Sequence, residues 1–276
     1  MDTFVMTQTL ALQLEQANAD SIDSWFRGML EQAGDYFGVN VYRVGQVRAF
    51  AARKMQEMGH FNQVIGLGPE QQHYLPEIVR FYAEQGITQY RIEINPFHVT
   101  SDFLAYLASL RCHHTGFQTY VFGPSTLDPL PLPPAISLQE VTSSENDLFA
   151  DMHVQGFQEA LIRAPLSTRQ LYRESTKVLC GFPGWHLYLV NINGTPSGMG
   201  MLYIENGRAL LAGGATLPQF RRRGSHRALL CHRIQAAAQA KCSIVVAQTN
   251  AGSESQRNME NLGMRTAYTA AIWKSS

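Results

Sequence analysis

PQFRRRGSHRALL, residues 218–230, places three consecutive arginines and a glycine directly before a helical pattern of apolar residues. The segment before it, RALLAGGATL (208–217), has the composition of a strand. A helix that begins after a glycine loop offers unpaired backbone N–H groups and lets an anion approach the backbone closely. The stretch therefore predicts a phosphate site. A solvated basic loop and a nucleic-acid patch are the two alternatives.

The overall composition weighs against the nucleic-acid alternative. The 276 residues contain 22 Lys+Arg and 22 Asp+Glu, with a pI of about 7.1. Proteins that bind nucleic acid mainly through its backbone are usually basic, so we expect no nucleic-acid partner. The four cysteines form no C-x-x-C pair, and no run of 18 apolar residues is present. The N-terminus has no basic segment before its apolar part, so we expect a cytoplasmic protein without a membrane partner.

A proline-rich segment divides the chain into two halves of similar size. Residues 125–137 are STLDPLPLPPAIS, and prolines fix φ and cannot donate to a sheet ladder. We expect a first domain over residues 1–125, an extended linker over 126–135 and a second domain over 136–276. The alternative is a long surface loop within a single domain.

The second half has the pattern of a mixed α/β sheet. Strands are predicted at 136–141, 185–194, 197–207, 208–217, 243–250 and 264–273, and the last of these is expected to close the sheet. Helices are predicted within 143–161 and 168–179, over 225–240 and over 253–263, with Gly263 as the C-terminal stop of the last. Hairpins followed by a strand–helix–strand crossover indicate this class.

The first half repeats the end of this pattern. Strands are predicted at 61–68, 87–95 and 118–123, and a helix is predicted to end at Gly116. Gly116 then aligns with Gly263, which suggests an internal duplication. The alternative is that two strand–helix–strand units simply look alike. In either case the first half has no R-x-x-G loop.

The arginine loop is similar to a family motif. P-x-x-R-x-x-G-x-x-x-x-L is formed by Pro218, Arg221, Gly224 and Leu229, and Asn258 follows in S-x-x-N-x-x-x-L-G-M. In this order the second half resembles the GNAT superfamily of acyl-CoA-dependent N-acyltransferases. The first half resembles a degenerate copy, as in tandem members. The resemblance implies an α/β fold with two GNAT-like domains, each a mixed, mostly antiparallel sheet flanked by helices.

The same resemblance implies acetyl-CoA as co-substrate and direct attack by an amine of a small-molecule or peptide acceptor. In the family, the strand before the loop splays from its neighbour and pairs with the pantetheine arm, while the loop amides hold the diphosphate. No metal is implied, and the oligomeric state is left open. The cofactor residues implied by position are Thr216, Leu217, Arg222, Arg223, Gly224, Ser225, His226, Arg227 and Asn258.

Two departures affect the chemistry. His226 stands where the family often has Gly or Ala, and Met259 stands where many members have the tyrosine that protonates the leaving thiolate. An acyl-CoA sensor without catalytic activity is therefore an alternative function. The candidate catalytic residues are Glu205, His153 and Glu159 as bases and Tyr268 as a proton donor, although an exposed turn, a buried histidine or strand packing would also explain these side chains.

Overall fold

A computed structural model describes residues 5–125 and 132–276 of the chain, and residues 126–131 of the expected linker lie outside this part. The chain forms two compact units. The first contains the residues up to Val121 together with 249–253 and 266–276, and the second contains 122–248 and 254–265. The end of the chain thus packs with the first unit, whereas the sequence assigned all of 136–276 to one domain.

The first unit is a mixed sheet with helices. Its strands lie in the order β1-β2-β3-β4-β12-β5, with β3 and β4 parallel and β1-β2, β2-β3 and β4-β12 antiparallel. Its elements are α1 (Gln8–Ala33), β1 (Val39–Val44), β2 (Val47–Ala52), β3 (Gln63–Ile65), α2 (Leu75–Glu84), β4 (Arg91–Ile94), α3 (Ser101–Ser109), β5 (His113–Gly123) and β12 (Arg265–Lys274).

One face of this sheet forms an apolar core with α2 and α3. Alternate strand residues such as Ile92 and Ile94 pack against Ile78 of α2 and Phe103 of α3, as expected for strands whose side chains alternate between faces. Burial of this area supplies the main stabilising term of the unit.

Two local predictions for the first unit are wrong. The third helix ends at Ser109, and Gly116 lies within β5 rather than at a helix C-terminus. Arg111, with φ of 61°, takes the left-handed conformation after the helix instead of a glycine. The last strand, predicted to close the sheet of the second half, lies in the first unit instead, because β12 pairs with β4 from Arg91↔Lys274 to Ile94↔Ala271.

The second unit is also a mixed, mostly antiparallel sheet. Its strands lie in the order β11-β9-β8-β7-β6, and β9 and β11 are parallel. Its elements are β6 (Ile136–Glu140), α4 (Asn146–Gly156), α5 (Gln158–Leu161), α6 (Leu166–Lys177), β7 (Trp185–Ile192), β8 (Thr195–Glu205), β9 (Arg208–Leu210), β10 (Gly214–Thr216), α7 (Ser225–Gln239), β11 (Ile244–Thr249) and α8 (Glu254–Glu260).

The predicted strand over 208–217 is interrupted. β9 follows β11 until Leu211, whose N–H donates to Val246 O at 2.8 Å. After residues 211–213 the chain continues as β10, which pairs with β8 at Gly214↔Gly200 and Thr216↔Gly198. Among the described residues no ladder pairs the other edge of β10. The chain therefore leaves β11 here, and β10 presents free backbone groups on that edge.

Helices cover both sides of this splayed strand. α7 packs against β6, β7, β8 and β10, and α4 packs against β7, β8, β10 and α6. Gly156 of α4 comes so close to β10 that a Cβ on it would lie 2.3 Å from the Cβ of Ala215. No helix in the described part of the chain is long and apolar enough to cross a bilayer.

Candidate functional site

The arginine loop has the backbone conformation of an anion site. A short 3-10 turn over Pro218–Phe220 leads into the three arginines, and α7 begins at Ser225. Arg222 and Gly224 both have positive φ, 61° and 92°. Gly224 is the N-cap of α7 and supplies no side-chain cap. The first N–H groups of α7 therefore have no side-chain acceptor at the cap, and they carry the positive end of the helix dipole.

A cavity of about 410 Å³ opens in front of this loop. The end of α4, strand β10, the arginine loop, the start of α7 and helix α8 all contribute to its wall. The lining residues that the sequence predicted are Thr216, Arg222, Gly224, Ser225, His226, Arg227 and Asn258. The lining residues that the sequence did not assign to the cofactor are Gly156, Gly214, Ala215, Phe220, Arg221, Glu254 and Ser255.

Two of the predicted cofactor residues do not line the cavity. Leu217 is buried, and its N–H donates to Ser197 O at 2.9 Å, which continues the pairing of β10 with β8. Arg223 is exposed, and its guanidinium lies 5.9 Å from the centre of the Phe220 ring. The arginines that line the cavity are Arg222 and Arg227, both predicted from the sequence, together with Arg221.

Comparison with known proteins places this site in a family. The family described as "Acetyltransferase (GNAT) family" matches residues 153–264, which include β10, the arginine loop and α8. The matched segment, residues 153–264, belongs to the GNAT acetyltransferases. The match does not extend into the first half, and the comparison with curated proteins gave no match.

Solved structures share the fold over nearly the whole chain. A GCN5-related N-acetyltransferase from Kribbella flavida is 13% identical, with 93% of this chain and 95% of that one covered and a TM-score of 0.62. A tandem GNAT protein from the clavulanic acid biosynthesis pathway is 10% identical, with coverage of 94% and 96% and a TM-score of 0.57. A functionally unknown conserved protein from Staphylococcus epidermidis is 9% identical, with coverage of 89% and 96% and a TM-score of 0.62. At these identities the likeness is one of fold.

Within the GNAT site, Ser225 and His226 are held by their neighbours. Ser197 Oγ donates to Val190 O at 3.0 Å and lies 3.0 Å from Ser225 Oγ, so the Ser225 hydroxyl is directed inward. His226 Nδ1 lies 3.1 Å from Asn258 Nδ2. Because the amide can only donate there, the ring proton belongs on Nε2. Burial, with a smaller effect of the Arg233 charge, lowers the pKa of His226 to about 4, so this ring is neutral.

His153 is already engaged within the GNAT core. Thr176 Oγ1 donates to Tyr172 O at 3.0 Å, so it accepts from His153 Nδ1 at 2.8 Å. The other ring nitrogen, Nε2, then accepts from the Tyr172 hydroxyl at 2.9 Å. The side chain is 1% exposed. A proton transfer from a substrate to His153 would therefore have to pass through Tyr172.

The other three candidates do not line the GNAT cavity. Glu205 lies at the hairpin between β8 and β9, opposite Arg208, and Glu159 is exposed on α5. Glu254, the first residue of α8, is the carboxylate that the cavity wall contains. In the described residues no group of three or more His, Cys, Asp or Glu side chains is placed to hold a metal ion.

Tyr268 belongs to a buried polar cluster of the first unit. Its ring stacks on that of Tyr120, with centroids 4.6 Å apart, and its hydroxyl lies 3.5 Å from Ala11 O. The Tyr120 hydroxyl donates to Glu93. Burial, followed by the charges of Glu15 and Glu93, raises the pKa of Tyr268 far above its usual value. A hydroxyl in this state is a poor proton donor.

Met259, at the position of the usual GNAT acid, is 4% exposed and packs in the core. Sequence reasoning also passed over Arg233, a fully buried cation behind β10. The glycines at 200, 213 and 214 were the available signal, because strands rarely hold glycine unless another group comes close.

Proposed function

We propose that the second unit binds acetyl-CoA in the cavity beside β10 and transfers its acetyl group to an amine of a small-molecule or peptide acceptor. The observation that supports this proposal is that two sets of unpaired backbone groups line the same cavity. The free edge of β10 and the uncapped start of α7 both lie in its wall. The first suits the amides of a pantetheine arm, and the second suits a diphosphate.

The side chains around the cavity fit the same ligand. Arg221, Arg222 and Arg227 supply permanently charged donors for phosphate oxygens. Thr216 Oγ1 is buried at the cavity wall and has no hydrogen-bond partner among the residues that the structure describes. Buried hydroxyls nearly always have a partner, so this one is available to a bound molecule.

The reaction requires the protein mainly to position the thioester and the acceptor amine. Acetyl-CoA, when bound, supplies the acetyl group as a thioester. Backbone N–H groups near Ala215 and Thr216 would hold the carbonyl oxygen where negative charge develops. The acceptor amine, with a usual pKa of about 10, must lose a proton before its nitrogen attacks. The N–C bond then forms, the C–S bond breaks and the electron pair leaves with sulfur.

An acyl-CoA sensor is the second candidate function. Met259 offers no proton to a leaving thiolate, and Glu205, Glu159 and Tyr268 lie outside the cavity wall. These observations favour a binding protein as much as a transferase. Turnover of any amine with acetyl-CoA, detected as released thiol, would exclude the sensor, whereas tight binding without turnover of a broad amine panel would support it.

The first unit is proposed to hold no acyl-CoA. The loop after β3 lacks arginines, and the N–H of Gly66 in that loop is bonded to the carboxyl of Glu15. Burial, together with the nearby charge of Glu93, raises the pKa of Glu15 to about 8. A carboxyl group therefore takes the N–H that a phosphate would need.

Acetyl-CoA is expected to raise the melting temperature of the whole chain by about 5 °C at 100 times its Kd. Ligand binding to the native state at that concentration contributes about 2.7 kcal/mol, and the melting temperature of a chain of this size rises by about 2 °C per kcal/mol. Calorimetric titration should give one molecule per chain. S-acetylpantetheine, which lacks the diphosphate, should shift the melting temperature much less. No shift at millimolar acetyl-CoA contradicts the proposal, and two bound molecules contradict the empty first unit.

Tyr268→Phe is expected to leave kcat/KM for acetyl transfer within about twofold of wild type, because its hydroxyl faces Ala11 rather than the cavity. Tyr120→Phe, its stacking partner, is the control for packing. A positioned acid contributes about 10²–10⁴-fold, so a loss of that size in Tyr268→Phe alone would assign the acid to it. Once an amine substrate is known, the same assay on Glu205→Gln, Glu159→Gln and Glu254→Gln tests the bases.

A further inference from the structure

Arg233 is a buried cation of the second unit that has no counter-ion among the described residues. It lies in the middle of α7 and is 2% exposed. Its Nη1 donates to Met201 O and Ala212 O, both at 2.9 Å, and its Nε donates to Leu229 O at 3.2 Å. Every acceptor is a backbone carbonyl, and no carboxylate pairs with it among the described residues. Burial lowers its pKa only to about 10, so it stays charged at neutral pH.

The sequence provides a slot for this guanidinium. Gly200 of β8 and Gly214 of β10 are paired in register. A Cβ on Gly200 would lie 3.1 Å from Arg233 Cζ, and a Cβ on Gly214 would lie 3.1 Å from Nη2. A side chain at either position would push the guanidinium aside, and glycine is otherwise unfavourable in a strand. The two glycines and the arginine thus form one arrangement.

This arrangement lies directly behind the candidate acetyl-CoA cavity. Ala212 belongs to the link in which the chain leaves β9 and enters β10, and Gly214 lines the cavity itself. Nη1 also lies 3.5 Å from Gly213 O in the same link. Arg233 therefore contacts the carbonyls of the link on one side and the cavity wall on the other.

The charge of Arg233 affects the pKa of a residue that lines the cavity. It contributes, after burial, to the lowered pKa of His226, which lines the cavity, and of His232 on the same helix. Tyr188 of β7 is the other titratable group that faces it. Because no described acidic side chain forms an ion pair with the guanidinium, its potential extends through the low-dielectric wall.

We propose that Arg233 is an electrostatic positioning residue of the acyl-CoA site, which fixes the splayed start of β10 and stabilises negative charge on the carbonyl oxygen and the departing sulfur. This inference rests on the proposed function. It also gives a physical reason why the chain tolerates Met259: a thiolate that faces a buried cation leaves without a proton from the protein. The proton lost by the amine then passes to solvent.

The test is the thiol pKa of bound CoA, followed by the ultraviolet absorbance of the thiolate as pH is raised. In the wild-type complex we expect this pKa to lie on the order of one unit below that of free CoA, by Coulomb attraction over several ångströms. Arg233→Met should remove most of the shift, and Arg233→Lys should keep part of it. The titration is kept below about pH 9 so that Arg233, with a pKa of about 10, stays charged. His226 and Tyr188, with pKa values of about 4 and 12, do not titrate in this range.

The possible outcomes separate the two proposals. If CoA does not bind the wild-type chain at all, the proposed function fails. If CoA binds but its thiol pKa equals that of free CoA, or is equally lowered in wild type and Arg233→Met, the inference about Arg233 is wrong. The comparison of wild-type-bound CoA with free CoA still tests the inference if Arg233→Met does not fold. Circular dichroism shows whether each variant is folded, and the affinity from calorimetry shows whether it is saturated with CoA.

Discussion

Gly224→Asp is expected to weaken acetyl-CoA binding about 100-fold more than Gly224→Asn. Gly224 has φ of 92°, and a Cβ there would lie 3.3 Å from Ile136 Cδ1. Asp and Asn have the same shape and both tolerate the left-handed region better than other residues, so strain and crowding are matched. Only Asp places a carboxylate at the start of α7, where the proposed diphosphate belongs. Two like charges, here the new carboxylate and the diphosphate, repel each other by about 4 kcal/mol at 4 Å near a protein surface. Solvent exposure reduces this repulsion, so we expect about a 100-fold difference in Kd.

Isothermal titration with acetyl-CoA measures this difference at two salt concentrations. The gap between the two variants should narrow at high ionic strength, because the loop is exposed and its charges are screened. Equal affinities for Gly224→Asp and Gly224→Asn would show that no anionic group lies at this helix start. That result would remove the main support for the diphosphate position.

The arginine loop was predictable because its chemistry is local. A glycine, three arginines and a helical pattern lie within a few residues of each other, and the loop geometry depends on little else. A local pattern gave a wrong prediction where a different residue could end the helix. Gly116 follows the third helix at a suitable distance for a stop, yet Arg111 takes the left-handed conformation and Gly116 continues as a strand.

Other features depend on contacts between distant parts of the chain. The pattern of residues 264–273 predicts a strand correctly but does not say that β4 is its partner. Tyr268 was a candidate acid only because that partner was unknown. Arg233 lies between apolar helix residues such as Leu230 and Ile234, and its burial follows from a pairing of glycines 200 and 214 that only the sheet register reveals.

Gly156→Ala is expected to destabilise the second unit by about 1–2 kcal/mol and to weaken acetyl-CoA binding at least tenfold. In an ordinary helix this change would stabilise, by about 0.5–1 kcal/mol. Here the new methyl group would lie 2.3 Å from the Cβ of Ala215, so α4 and β10 must separate. Overpacking of this kind typically costs about 1–3 kcal/mol. β10 is held by a ladder to β8 on one side only. A displacement of β10 therefore changes the cavity that Gly156 and Ala215 both line.

Ala215→Gly in the same chain provides the matched control, because it removes the methyl group that Gly156→Ala meets. The double variant Gly156→Ala/Ala215→Gly should recover most of the stability and of the acetyl-CoA affinity lost in the first single variant. Residues in direct contact show coupling of about 0.5–3 kcal/mol, and denaturant unfolding of the four proteins measures it. Additive effects would mean that α4 does not press on β10 at this point. A strong coupling in both stability and affinity would instead show that the close contact between Gly156, at the end of α4, and β10 sets the width of the cavity beside β10.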